Sequence, residues 1–308
     1  MNWTASDIPP QEGRRAVITG ANSGIGFHAA LELARHGAEI VLPARSEAKA
    51  EDAIRRIRAE VPQAKLTPAL LDLSSRRSVR RFVETIDDRF PGGSIDVLIN
   101  NAGVMALPRR ELTEDGFERQ FATNFLGPFA LTALLFPRLK PASGTRIVTL
   151  ASLIVHQGRI DFDNLQSERK YVSLYGAYAQ SKLADLIFAL ELQRRLSRAG
   201  SPIASLAAHP GIAVTNLMAH FTGLYKLLGR FLTPVIAQSA ERGALPGLFA
   251  ATAPEAAAGG YYGPNGAGER KGFPAPARLP AAAADEALAS RLWDTAERLT
   301  KTRFDVVG

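Results

Sequence analysis

The chain has 308 residues, 46% hydrophobic and 22% charged, an ordinary globular composition long enough for one large α/β unit. Its formal charge is +7, yet the arginines are scattered and no run of five like charges occurs. That pattern argues against a nucleic-acid partner and leaves a modest attraction for anionic ligands such as phosphates. With no cysteine there is no disulfide framework, thiolate nucleophile or Cys metal site.

The opening MNWTASDIPPQEG lacks a basic segment followed by an apolar one, so no signal peptide is expected. No run of 18 apolar residues predicts a spanning helix. A cytoplasmic protein without stable membrane insertion is the expectation. RAVIT (15–19) reads as the first strand and GFHAALELARHGA (26–38) as a helix that Gly37 stops. EIVLPAR (39–45) reads as a strand, EAKAEDAIRRIRAEV (47–61) as a charged helix and KLTPALLDL (65–73) as a strand. A helix is expected from about 75 to 90, then a strand in IDVLINNAG (95–103) and a buried helix in FLGPFALTALLF (125–136). RIVTLAS (146–152) and PIASLAAHPG (202–211) are further strands, with a weaker one near GGYYG (259–263). PAPARLPAAAA is expected to wrap the surface before a last helix, DEALASRLWDTAERLT. Strands alternating with helices imply parallel βαβ units with right-handed crossovers. Pro43 is expected to end or bulge the second strand, because proline cannot donate to a ladder.

The first strand runs into TGANSGIG, with Gly20, Gly24 and Gly26 between strand and helix. Glycines there let the backbone approach a pyrophosphate, which the helix N-terminus favours. The spacing differs from G-x-G-x-x-G, and a turn with close helix packing is the alternative. The strand–turn–helix context selects dinucleotide binding. An acid at the end of the second strand would bind a ribose 2′-hydroxyl and a base its phosphate. Here stand Pro43, Ala44 and Arg45, followed by Ser46, so NADP(H) is the expected cofactor. The alternative for Arg45 is a solvated side chain at the start of the next helix. Asp72 is either the adenine contact or a helix N-cap.

Of Tyr171, Tyr175 and Tyr178, Tyr178 has a lysine, Lys182, four residues on, on the same helical face. A neighbouring positive charge favours the phenolate and moves a tyrosine toward the range useful for acid–base work. Ser152 ends the fifth strand, where an open α/β sheet binds ligands, though a turn or cap is its other reading. Asn124 is a polar residue in an apolar helical stretch, which suggests a bond to neighbouring backbone or water. His156, His209 and His220 lack metal-ligand spacing, and no metal is expected.

TGANSGIG, NNAG (100–103), Asn124, Ser152, Tyr178-x-x-x-Lys182 and HPGIAVT (209–215) together resemble the short-chain dehydrogenase/reductase family, in its order, across residues 14–217. GGYYGPNGAGE (259–269) and RLWDTAERLT look like its retinol dehydrogenase-like branch, which also has an arginine at the position of Arg45. The resemblance implies a single-domain Rossmann fold over 1–308: an α/β, doubly wound parallel sheet of six to seven strands flanked by helices. It implies a substrate lid at about 216–240 and a C-terminal extension at about 264–308. Tyr178 would be the general acid in reduction and the base in oxidation. Lys182 would lower its pKa and hold the nicotinamide ribose. Ser152 would orient the carbonyl, and Asn124 would hold a proton-relaying water. Asn22, Ser23 and Ile25 would join the glycines at the pyrophosphate, and Leu73 would accompany Asp72. Asn100, Asn101, Ala102 and Gly103 would wall the adenosine half. Pro210, Gly211, Ile212 and Thr215 would hold the nicotinamide amide and pyrophosphate.

Two departures stand out. The fifth strand ends Ala-Ser where many relatives have Ser-Ser. The stretch from Ser152 to Tyr178 is longer than in most of the family, so it is expected to line the substrate mouth or to obstruct a helix-pairing surface. A homo-oligomer is left open. In 217–237, Phe221, Leu224, Tyr225, Leu228 and Phe231 would offer an apolar surface for a small lipophilic ketone, aldehyde or alcohol. A buried amphipathic helix and an interfacial membrane contact are the other readings of that segment. The expected activity is an NADPH-dependent carbonyl reductase or alcohol dehydrogenase, against a nucleotide-binding regulator with little catalysis.

Overall fold

The computed structural model describes residues 2–90, 94–213 and 237–306. Eight strands form one sheet: β1 (Arg15–Ile18), β2 (Glu39–Ala44), β3 (Lys65–Leu70), β4 (Val97–Asn100), β5 (Arg146–Leu150), β6 (Ala204–Ala208), β7 (Tyr261–Pro264) and β8 (Pro274–Pro276). Their spatial order is β3-β2-β1-β4-β5-β6-β7-β8. β1 to β7 are parallel and β8 runs antiparallel to β7. The doubly wound Rossmann architecture is as expected, with one strand more than the six to seven predicted.

The extra strand comes from the Pro/Ala-rich tail. β8 is an edge strand, and its neighbours Phe273 and Ala277 make the bonds back toward β7, from Asn265 N–H and to Tyr261 O. Pro274 and Pro276 therefore alternate outward, where a missing N–H costs nothing. Pro43 fits for a related reason. β2 does not end or bulge there: Pro43 stays in register with Ala69. Ala44 O accepts from Leu71 N–H, so Pro43 turns its nitrogen to the β1 side, where paired residues stop at Val17 and Val41.

Helices α1 (Gly24–Arg35) and α2 (Glu47–Glu60) follow β1 and β2. The helix expected from 75 to 90 splits into α3 (Arg76–Glu84) and a short turn, Ile86–Arg89, at Thr85, whose hydroxyl bonds back to Phe82 O. Further along are α4 (Gly127–Leu135), α5 (Ala179–Arg198), α6 (Ala240–Thr252) and α7 (Glu286–Thr300). The sheet divides the core in two. On one face α1, α2 and α6 pack with Trp3 and Tyr262. On the other face α3, α4, α5 and α7 pack around aromatic rings. Phe121, Phe125 and Phe129 repeat at helical spacing. Phe129 meets Trp293 edge-on at 5.1 Å, and Phe304 stacks on the same indole at 4.9 Å. Among the described residues no helix is long and apolar enough to cross a membrane.

Trp293 is 2% exposed and joins α7 to both α4 and α5. Trp293→Ala is expected to lower unfolding stability by about 3–5 kcal/mol in a denaturant titration, the range for a buried large aromatic. A loss within error would mean that α7 adds nothing to this core.

Candidate active site

The sheet order reverses between β2 and β4 around β1, which opens a crevice at the carboxyl ends of the strands. The turn after β1 is locked to the end of β4. Thr19 Oγ1 accepts from Asn101 N–H and Ala102 N–H, both at 3.0 Å, and Asn101 Nδ2 donates to Thr19 O at 2.8 Å. Gly20, at φ +70°, lies so near Ala102 that a Cβ would come within 2.9 Å of its Cα. Gly26 has no such freedom to spare, since a Cβ there would strike Asn101 Nδ2 at 2.4 Å. It serves the packing of α1 on the strands rather than the crevice wall. Ser23, the N-cap of α1, makes no side-chain capping bond. The helix start therefore keeps its positive end for an anion.

The crevice has a volume of about 290 Å³. Gly20, Asn22, Ser23, Gly24 and Ile25 line one side. Arg45 and Lys49 stand at one end, Asp72 and Leu73 beside them, and Asn101, Ala102 and Gly103 form the opposite wall. Tyr178, Lys182 and Pro210 lie at the other end. Sequence reasoning missed Lys49; its signal was a second base one helical turn after Arg45. Ser46, Ser152, Gly211 and Ile212 lie outside the lining, and Asn100 turns inward to Thr132 Oγ1 at 3.0 Å. Thr215, His220 and nearly all of the expected lid lie outside the described residues. Asp72 does not cap α3. Its Oδ1 accepts from Ser74 N–H and Oγ, and the cap is Ser75, which accepts from Ser78 N–H.

Asn124 sits in a wide π-type turn, Ala122–Leu126, just before α4. Its Oδ1 accepts from Val104 N–H at 2.8 Å, and its Nδ2 donates to Val104 O at 3.0 Å and Ser181 Oγ at 2.8 Å. The Asn thus pins the loop after β4 to α5 through protein groups. The long stretch before Tyr178 packs on the same loop, where Tyr171 Oη and Ser173 Oγ both donate to Leu107 O. Ser152 accepts from Ile154 N–H at 3.4 Å and stands near enough to Tyr178 to pull its pKa down.

Lys182 is buried, and its Nζ donates to Leu150 O at 2.7 Å and Asp185 Oδ2 at 2.8 Å. Burial opposes its charge, but Asp185 and Tyr178 outweigh that and leave the lysine above its ordinary range. Burial also pushes Asp185 up, to about 7, against the pull of Lys182. For Tyr178 the largest influence is again burial, which raises it. Lys182 and Ser152 pull it down, Asp185 pushes it up again, and the net direction is upward. Lys182 acts in the expected direction, but desolvation of the phenolate outweighs it. Asp185 was not anticipated, although it lies seven residues after Tyr178, close to the same helical face.

The turn after β6 is braced from the C-terminal part of the chain. Gly211 N–H donates to His209 Nδ1 at 3.2 Å, which makes Nε2 the protonated nitrogen of the neutral ring. Nε2 then donates to Glu269 Oε2 at 3.0 Å. Ile212 N–H donates to Arg270 O, and a Cβ on Gly211 would strike that same oxygen at 2.3 Å.

The sequence pattern of the family described as short chain dehydrogenase matches residues 14–223. The chain belongs to this family. It is 40% identical to polyprenol dehydrogenase of Mus musculus over 299 residues, covering 95% of this chain and 85% of that protein. It is 41% identical to retinol dehydrogenase 13 of Homo sapiens over 294 residues, covering 93% and 84%. Among solved structures, an uncharacterized protein from Mycobacterium Paratuberculosis has a TM-score of 0.81 at 40% identity, covering 99% of this chain and 100% of that one. A short chain dehydrogenase from Burkholderia cenocepacia J2315 in complex with NADP has a TM-score of 0.61 at 25% identity, covering 80% and 92%. This short-chain dehydrogenase is thus of the retinol dehydrogenase-like kind: an oxidoreductase of CH–OH and C=O groups that uses a nicotinamide cofactor.

Burial moves His209 from its ordinary 6.5 down to about 4, against the pull of Glu269. As pH falls below about 6.5, the unfolded chain takes up a proton that the folded chain refuses. The His209 contribution to stability should therefore fall between about pH 6.5 and 4 and level off below, while Asp185, raised from 3.8 to about 7, contributes with the opposite sign in the same window. As pH falls across that window, His209→Gln is expected to gain melting temperature relative to the wild type. Equal slopes would remove His209 as the cause.

Proposed function

We propose that the crevice holds NADP(H) and that the enzyme reduces a lipophilic ketone or aldehyde, or oxidises the corresponding alcohol. The observation that carries this reading is a crevice with two bases at one end, Arg45 and Lys49, and Tyr178 with Lys182 at the other. Neither Arg45 nor Lys49 forms an ion pair among the described residues, so both side chains remain available to a 2′-phosphate. No acid stands at the end of β2 to prefer a ribose hydroxyl. The glycine turn and the uncapped start of α1 fit a pyrophosphate. The relatives named for polyprenol and retinol support a lipophilic substrate.

A nicotinamide held in this crevice would supply or accept the hydride. Tyr178 gives its phenolic proton to the carbonyl oxygen in reduction and takes it back in oxidation. Burial keeps the phenol protonated at neutral pH, so the acid role comes first. Ser152, which acts on Tyr178 as a neighbour, would hold the carbonyl oxygen beside the phenol. Lys182 favours the phenolate left behind and would hold the nicotinamide ribose. Asn124 keeps the wall around Lys182 in place: a Cβ at Gly103 would meet Asn124 Oδ1 at 3.2 Å and Lys182 Nζ at 3.7 Å. Within the whole chain, taken as one nucleotide-binding domain, residues 216–240 serve as a substrate lid and 264–308 as the C-terminal extension.

Nucleotide oxidation by the purified protein, measured with NADPH and NADH against lipophilic aldehydes and ketones, tests this directly. Tyr178→Phe should bind NADPH normally and lose at least about a hundredfold in turnover, the usual scale of general acid catalysis. Turnover that survives the substitution would place the proton donor elsewhere. Arg45→Ala and Lys49→Ala should each weaken NADPH binding about tenfold, the loss of one charged hydrogen bond, and leave NADH binding unchanged. Equal losses for both nucleotides would remove the 2′-phosphate contact.

A further inference from the structure

The buried carboxylate of Asp185 has no part in the reaction as derived so far. It is 1% exposed, pairs with Lys182 Nζ at 2.8 Å, and leaves its other oxygen, Oδ1, without a hydrogen-bond partner. Structure alone gives little reason for it. A buried ion pair spends most of its Coulombic attraction on desolvation. An unsatisfied buried oxygen costs a further ~1–3 kcal/mol. Lys182 already has the carbonyl of Leu150 as a partner at 2.7 Å. The position of the carboxylate is more informative. Tyr178, the residue just before α5, and Lys182 and Asp185 within it stand at i, i+4 and i+7, so one charge lies between the phenol and the other charge.

We propose that Asp185 is a positioning residue for proton transfer: its carboxylate fixes the Lys182 ammonium beside Tyr178 and partly cancels the lysine's charge at the phenol. The inference rests on the oxidoreductase reading above. Lysine alone would favour the phenolate, the form needed to oxidise an alcohol. The Lys182–Asp185 pair shifts Tyr178 back toward the phenol, the form that donates a proton to a carbonyl. Asp185 therefore biases the centre toward reduction. The electrostatics agree in sign, since Asp185 opposes Lys182 at Tyr178. Other titratable groups nearby do not take part. His156, on the turn Leu153–Gln157 packed against α5, is exposed, and Arg146 on β5 donates to Ala250 O at the far end of its strand. The remaining polar partners at this end of α5, Ser152, Ser181 and Asn124, carry no charge.

Asp185→Asn keeps the shape and an acceptor for Lys182 while removing the charge. Asp185→Ala removes the charge with no amide to place, and either folded variant decides the question. The chain has six tyrosines, so ¹³Cζ-tyrosine NMR resolves few signals, and Tyr178→Phe identifies the one that matters. In the variants the Tyr178 titration is expected to move down by about one pH unit, the scale of a single neighbouring charge in a buried site. The rising limb of kcat/KM against pH for alcohol oxidation should move with it, while NADPH affinity stays within about threefold of wild type. An unmoved Tyr178 titration overturns the proposal. So does a rate that falls equally at every pH with the limb in place, which is the mark of a packing role. The NMR readout does not require turnover. A wild type inert toward every carbonyl, with a titration that still shifts in Asp185→Asn, would sink the carbonyl-reductase reading and leave this coupling standing.

Discussion

The pairing of β1 with β4, Val17 beside Leu98, is the contact on which the rest of the molecule depends. β1 pairs on its other side with β2, so the chain winds outward in both directions from this strand. The reversal leaves a gap above the carboxyl ends that no crossover helix covers. Every feature of the crevice refers back to it. Thr19 ends β1 and holds Asn101 and Ala102, which follow β4. Gly20 and Gly26 permit that approach, because a side chain at either would collide with the β4 end. The glycines of TGANSGIG thus serve two ends. Some face the crevice, and Gly26 lets the helix that presents its N-terminus come close to the sheet.

Within the crevice, burial decides more than charge does. Tyr178, Lys182 and Asp185 all lie out of water, where each charged form is costly. They are kept by one another and by a fixed dipole, Leu150 O for the lysine. Such a set responds strongly to a change in any member, because no solvent screens it. The C-terminal tail adds a second constraint at the same end. His209, Glu269 and Arg270 tie the turn Pro210–Ile212 to the loop after β7, so the tail shapes a turn it never adjoins in sequence.

Much of the fold was legible because short apolar runs alternating with helical patterns admit few arrangements. The glycine turn and the Tyr178/Lys182 pair were legible because their partners are local, within one turn or one helix. The misreadings concern context. Pro43 was judged by proline's missing donor and the Pro/Ala-rich tail by its composition, and only the sheet shows that these proline nitrogens point away from any acceptor. Asn124 was recognised as an anomaly, but its partners, Val104 and Ser181, come from segments far apart in the chain. Lys49 and Asp185 were overlooked because single charges at helical spacing are common and carry meaning only beside a crevice.

By itself, the sequence determined the alternation of strands and helices, the anion-binding turn and the local pair of phenol and ammonium, since each follows from residues a few positions apart. Tertiary structure decided which strand borders which, that Arg45 and Lys49 share a crevice with Tyr178, and that His209 leans on Glu269. It also decided the balance at Tyr178, because desolvation depends on everything packed around a group, and no short stretch of chain encodes it.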